Sequence, residues 1–178
     1  QGAGAISAVV IALSVSSAAQ EPSGPLTIAR QGSFFVGGRE LRSEALSTRP
    51  AWPTSGTVTV DQVYVRYQIP VSARGVSLVL VHGFGGSTFG WRSVMEPLAA
   101  QGWYVVALDL PGFGLSEKTW SRSYAHEDHA RFVLATMDAL HIEHAVVVGH
   151  SMGGNVVAWM QELAPARIDG VALIDAAI

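Results

Sequence analysis

Five residues, Gly149-His150-Ser151-Met152-Gly153, have the types and spacing to do chemistry. A serine hydroxyl sits between two glycines in the pattern G-x-S-x-G. A β-branched run, Ala145-Val146-Val147-Val148, leads into it, and apolar residues at helical spacing follow at Val156, Val157, Met160, Leu163 and Ala164. Strand, sharp turn and helix together hold a serine in a strained backbone and project its Oγ from the carboxyl end of a strand. The glycines are expected because side chains at 149 and 153 would strike the neighbouring helix and strand. A serine held this way attacks carbonyl carbon once a base takes its proton. The amide of Met152, at the helix start, is placed to receive the negative charge that develops on oxygen.

Two further stretches belong with this one. His82-Gly83-Phe84-Gly85-Gly86 closes the apolar run of residues 76–81, and Asp109-Leu110-Pro111-Gly112-Phe113-Gly114-Leu115-Ser116 closes the run of residues 103–108. The three motifs, in this order and each after an apolar run, resemble the α/β-hydrolase superfamily over residues 57–178. Leu26 to Pro70, with the string QGSFFVGGR, resembles the amino-terminal region of a group of secreted bacterial esterases in that superfamily.

The resemblance implies a catalytic Ser151 and an oxyanion hole made by the backbone N–H groups of Phe84 and Met152. Gly83, Gly149 and Gly153 let backbone approach closely, and Asp109 ties down loop amides. His82 and His150 orient loops rather than act as the base. The implied substrate is a small-molecule ester, with no cofactor and no metal. In this superfamily the order along the chain is serine, acid, histidine. All six histidines, at 82, 126, 129, 141, 144 and 150, precede Ser151. Asp175 is the candidate acid within the sequence, although the family more often places the acid one strand later. Carbon–carbon bond hydrolases, acyltransferases and perhydrolases would use the same serine, and a binding member without a triad is the non-catalytic alternative. A serine at this turn argues against the dehalogenase and epoxide-hydrolase branches, which form an alkyl-enzyme ester on aspartate.

Composition sets wider bounds. The 178 residues suit one domain; 14% are charged and 49% hydrophobic, which excludes a disordered chain. The net charge is −3 and no basic cluster is present, so nucleic acid is not an expected partner. The absence of cysteine excludes disulfides and thiolate metal sites. His126 and His129 fall at i, i+3 with Glu127 and Asp128 between them, but no third ligand accompanies them; a solvated helix start is expected there.

The chain opens on Gln1 and stops at Ile178, just after the strand-like run Val171-Ala172-Leu173-Ile174. It is read as a fragment, inactive and marginally stable by itself. Residues 1–19 read as the remnant of a signal peptide, with Ser17-Ala18-Ala19 before Gln20 as the cleavage site, and imply a secreted or periplasmic protein. The run is too short for a membrane span, and the mature protein is expected to have none. Residues 20–56 read as linker and amino-terminal hairpin or loop, and residues 57–178 as the amino-terminal portion of the hydrolase domain.

The elements that must carry the motifs follow from pattern. Gln31 to Gly38 is expected to be a short strand ended by a glycine turn, and Arg39 to Pro53 a loop. Thr57 to Val60 and Val63 to Ile69 read as two strands around Asp61-Gln62; the second alternates and suits an antiparallel edge. Residues 76–81, 103–108 and 145–148 are nearly continuous apolar runs, as in parallel strands buried on both faces. Trp91, Val94, Met95 and Leu98 predict a helix that Pro97 kinks or shortens and Gly102 stops. Ala130, Val133, Leu134 and Met137 predict a second, with Ser123 as N-cap. The expected fold is a mostly parallel, doubly wound α/β-hydrolase sheet with an antiparallel amino-terminal edge, truncated after the strand that follows the serine helix.

Overall fold

A computed structural model describes residues 27–44 and 55–176. The segment read as a signal-peptide remnant, the residues that follow it up to Leu26, and most of the loop expected before Pro53 lie outside these residues. In chain order the elements are β1 (Ile28–Ser43), β2 (Gly56–Pro70), β3 (Ser77–Val81), a 3-10 turn (Thr88–Trp91), α1 (Arg92–Ala100), β4 (Tyr104–Leu108), α2 (His126–Ala139), β5 (Ala145–His150), α3 (Met152–Leu163) and β6 (Ile168–Ile174).

The six strands form one sheet in the order β1-β2-β4-β3-β5-β6. β1 pairs antiparallel with β2, and β2 antiparallel with β4; β4, β3, β5 and β6 run parallel. The apolar runs explain the layers, because successive side chains of a strand point to opposite faces. Val79, Val81, Val106, Leu108 and Val147 pack on Ala130, Val133 and Met137 of α2 and on Val156, Val157 and Met160 of α3. The alternate residues Leu78, Leu80, Val105 and Ala107 pack on Met95 and Ala99 of α1. Helices therefore cover both faces of β3 and β4. Each such buried Val, Leu or Met is worth about 1.5–3 kcal/mol.

The amino-terminal strands depart from expectation. β1 does not stop at a glycine turn; it continues through Gly37 and Gly38 to Ser43, and Arg39 to Ser43 are strand rather than loop. β2 is one strand of 15 residues, not two. Gly37 (φ 75°), Gly38 (φ 105°) and Asp61 (φ 60°) lie opposite one another, and pairing resumes at Arg39↔Val60. The punctuation read as two strand ends is a set of positive-φ residues facing one another within one ribbon, across which the cross-strand register is unchanged.

The helices depart less. α2 begins after Ala125, not Ser123, whose Oγ accepts the Ala125 amide at 3.3 Å. Pro97 lies inside α1, which runs for only nine residues and leaves Val94 exposed. Among the described residues no helix is long and apolar enough to cross a membrane.

Candidate active site

β5 ends in Gly149-His150 and α3 begins at Met152, so Ser151 occupies the turn between them. Its backbone is strained, at φ 51° and ψ −121°. For a non-glycine residue this costs on the order of 1–3 kcal/mol and must be held by its surroundings. The holding contacts are backbone. The Ser151 amide donates to the Ile174 carbonyl at the end of β6, 2.9 Å away, and the Ser151 carbonyl accepts the Gly154 amide at 2.9 Å.

The flanking glycines admit no side chain. A Cβ on Gly149 would stand 2.4 Å from the Gly153 carbonyl oxygen, and one on Gly153 would stand 2.3 Å from that of Val81. The first collision is with the start of α3 and the second with the end of β3, so helix and strand close on the turn from opposite sides. Gly83 is also confined: its Cβ would lie 2.9 Å from Cβ of Ser151. The motif after β3 and the serine turn are thus in direct contact.

Ser151, Gly83, Phe84, Trp91, His150 and Ile174 line a cleft of about 320 Å³. Volumes near 300 Å³ are the lower end of what small-molecule sites use. Among the described residues, neither the Phe84 amide nor the Met152 amide donates to a protein acceptor. Two free N–H groups beside a serine are what an oxyanion needs.

His82 is 3% exposed and both ring nitrogens are engaged. Nε2 accepts the Leu110 amide at 3.0 Å, so the proton sits on Nδ1, which donates to the Gly83 carbonyl at 2.7 Å. Burial pushes its pKa below the ordinary histidine value, with the Gly83 contact and the Asp109 charge opposing, so the ring stays neutral near pH 7. The Gly83 carbonyl also accepts the Gly86 amide at 3.0 Å. That carbonyl shares a planar trans peptide with the Phe84 N–H, so anchoring the oxygen on one side turns the N–H to the other. His150, next to the serine, is exposed and meets Trp91 edge to face at 6.5 Å.

Asp109 is 1% exposed. Its two oxygens accept the amides of Thr88 (2.5 Å) and Leu115 (2.7 Å). Ser116 Oγ donates to the Asp109 carbonyl at 2.6 Å and accepts the Tyr64 amide at 2.7 Å. A Cβ on Gly114 would fall 1.9 Å from Asp109 Oδ2. The carboxylate is therefore enclosed by the loop it organises.

Asp175 follows β6 directly, exposed and at φ 44°. The His126–His129 pair is not a solvated helix start, because His129 is 2% exposed. It packs against the rings of Phe113 and Tyr124, and burial drives its pKa from 6.5 to about 4, with the nearby His126 and His82 adding to the shift. The reason is geometric: His129 lies on the same helix face as Val133, Thr136 and Met137, which the sheet covers. Among the described residues no group of three or more His, Cys, Asp or Glu could hold a metal ion.

Residue pattern does not reveal that Trp91 and Ile174 line the cleft or that Phe113 packs on His82 and Phe84 beside it, since helical spacing accounts for Trp91 and a strand-like run for Ile174. A signal existed for Phe113, which lies inside the D-x-P-G-x-G-x-S string, two residues from a buried proline.

Comparison with known proteins agrees with this architecture. Residues 76–178 match the family model described as alpha/beta hydrolase fold. The chain is 42% identical over 98 residues to an uncharacterized hydrolase of Bacillus subtilis, covering 55% of this chain and 36% of that protein. It is 36% identical over 103 residues to epoxide hydrolase B of Mycobacterium tuberculosis, covering 57% of this chain and 29% of the relative. A bacterial esterase of known structure superposes with a TM-score of 0.62 at 26% identity, over 84% of this chain and 69% of that one. The chain thus spans about a third of the length of the curated relatives it matches.

Proposed function

The chain belongs to the α/β-hydrolase fold family, and from that premise we propose that the whole protein cleaves carboxylic esters through an acyl-enzyme on Ser151. One observation carries the reading: a strained serine in the wall of a cleft, flanked by two backbone amides that no acceptor among the described residues occupies. In the first half-reaction Ser151 Oγ bonds to the ester carbonyl carbon while its proton passes to a histidine. The Phe84 and Met152 amides hold the oxyanion. As the intermediate collapses, the alcohol leaves with that proton. Water, deprotonated by the same histidine, then attacks the acyl-enzyme and releases the acid and free Ser151.

Every histidine of the sequence precedes Ser151, and His82 is committed to backbone on both nitrogens. We assign the base to a histidine of the whole protein outside these 178 residues. Asp175 is the candidate acid within them. The relative named as an epoxide hydrolase does not redirect the reading, since the residue at the turn here is serine. The leader-like residues 3–19 support an exported protein; amino-terminal sequencing of the exported form is expected to begin at Gln20.

The test is hydrolysis of p-nitrophenyl acetate by the whole protein and by its Ser151→Ala variant. Loss of kcat by more than about a thousandfold is expected, with folding retained. A variant that keeps the parent's rate would remove Ser151 from the mechanism.

A further inference from the structure

We infer that Phe113 is a positioning residue for the oxyanion hole, a role that rests on the esterase reading above. The problem it solves is local. Phe84 must present its amide to the reacting carbonyl, yet its own side chain is 83% exposed. Next to it, Gly85 sits at φ 70° with open space where a Cβ would be. A glycine-rich segment of this kind permits the Gly83–Phe84 peptide to flip, which would swap a donor for an acceptor at the site.

Three groups oppose the flip. Two of them, the His82 imidazole and the Gly86 amide, are bonded to the Gly83 carbonyl. The third is Phe113, whose ring meets His82 edge to face at 5.5 Å and meets the Phe84 ring edge to face at 5.5 Å. On its remaining side Phe113 packs on the buried His129 of α2. A single ring thus braces the imidazole that orients the peptide and also the side chain of the residue that donates from it.

Phe113 can act as a brace because its own backbone is fixed. Its amide donates to the Leu110 carbonyl at 3.0 Å and its carbonyl accepts the Ser116 amide at 3.1 Å. Asp109 and Ser116 fasten the same loop from inside. The loop after β4 therefore stiffens the loop after β3 through one aromatic side chain, in addition to the bond from the Leu110 amide to His82.

The experiment uses the whole protein with Phe113→Ala, Phe113→Tyr and Ser151→Ala. Esterase kinetics are read alongside the affinity of a trifluoromethyl ketone, which adds Ser151 and places an oxyanion in the hole. Phe113→Ala is expected to lower kcat and ketone affinity together, by about ten- to a hundredfold, with KM changed less than about threefold. Phe113→Tyr keeps the ring and is expected to restore both to within about threefold of the parent. If Phe113→Ala leaves kcat unchanged, or lowers it without weakening the ketone, the inference is overturned. Should Phe113→Ala fail to fold, Phe113→Leu takes its place, and a folded Phe113→Leu that keeps the parent's kcat and ketone affinity overturns the inference as well. A parent that shows no Ser151-dependent turnover would instead overturn the esterase reading itself, which the Ser151→Ala control makes plain.

Discussion

The serine turn and the β1–β2 ribbon both place residues at positive φ, and they tolerate it for opposite reasons. At the turn, Ser151 is held by Gly149 and Gly153, which lie against peptide groups of α3 and β3 at distances no Cβ could occupy. In the ribbon, Gly37, Gly38 and Asp61 fall in a long antiparallel pair whose outer strand, β1, is largely exposed. One is strain imposed by packing on every side; the other lies at facing positions of an outer antiparallel pair whose register is unbroken there. Positive φ therefore marks a candidate site only where the surrounding atoms leave no alternative.

The largest effect that could break this contrast is Gly153→Ala. Its methyl group would meet main-chain oxygens of Val81 and His82, which cannot move without displacing β3. A loss of more than about 4 kcal/mol is expected, and a domain of ordinary stability would then fail to accumulate in soluble form. Soluble, folded Gly153→Ala protein with a near-parental melting temperature would show that the turn is looser than described.

Next in size is Gly38→Ala. At φ 105° the added carbon is strained and lies 2.9 Å from the Thr59 methyl group, a side chain that can shift. A loss of about 1–2 kcal/mol in a urea titration is expected, with activity of the whole protein retained. Gly32→Ala should be smaller still, within about 1 kcal/mol, because the nearest atoms belong to the Tyr67 ring at 3.3 Å.

Acid separates the two regions by window. His129, near the site, has its pKa depressed from 6.5 to about 4 by burial. The unfolded chain takes up a proton that the folded one refuses, so stability falls as pH drops from about 6.5 to about 4 and this loss is complete below. His82 is depressed as well and acts in the same direction. In the ribbon, the Asp61 carboxylate is held below its ordinary 3.8, chiefly by its hydrogen bond from Arg39. Its contribution is present above 3.8 and is lost only as pH falls beneath that value. His144, raised by its hydrogen bond to Asp169, acts oppositely: its contribution is full below 6.5 and is lost as pH rises from there through its folded pKa. Urea midpoints at pH 7.5 and 5 are expected to drop for the parent and to drop less for His129→Phe. Equal drops would place the sensitivity elsewhere.

The same contrast explains what could be read from residues alone. β3, β4 and β5 announce themselves because burial on both faces demands unbroken apolar runs, and their helices because a covered face repeats at 3.6 residues. The motifs at their carboxyl ends are legible because close backbone approach admits only glycine at 149 and 153. The ribbon is legible only in part. Val63 to Ile69 alternate and are strand, whereas the outer strand β1 is largely exposed and carries no comparable pattern, and Gly37-Gly38 look like a terminus although the hydrogen-bond ladder bridges them. His129 and Phe113 escape for a different reason: their roles come from which rings meet after α2 docks and the loop after β4 closes. Helical spacing with Val133, Thr136 and Met137 places His129 on the covered face, and the motif places Phe113 in the loop, but neither says which rings meet.

The most direct measurement is covalent labelling of the whole protein with a fluorophosphonate, followed by peptide mapping. The account expects one adduct, on the peptide containing Ser151, abolished in Ser151→Ala and slowed in Phe113→Ala. A folded protein that stays unlabelled under conditions that label other serine esterases, or that carries its adduct on another residue, would contradict it.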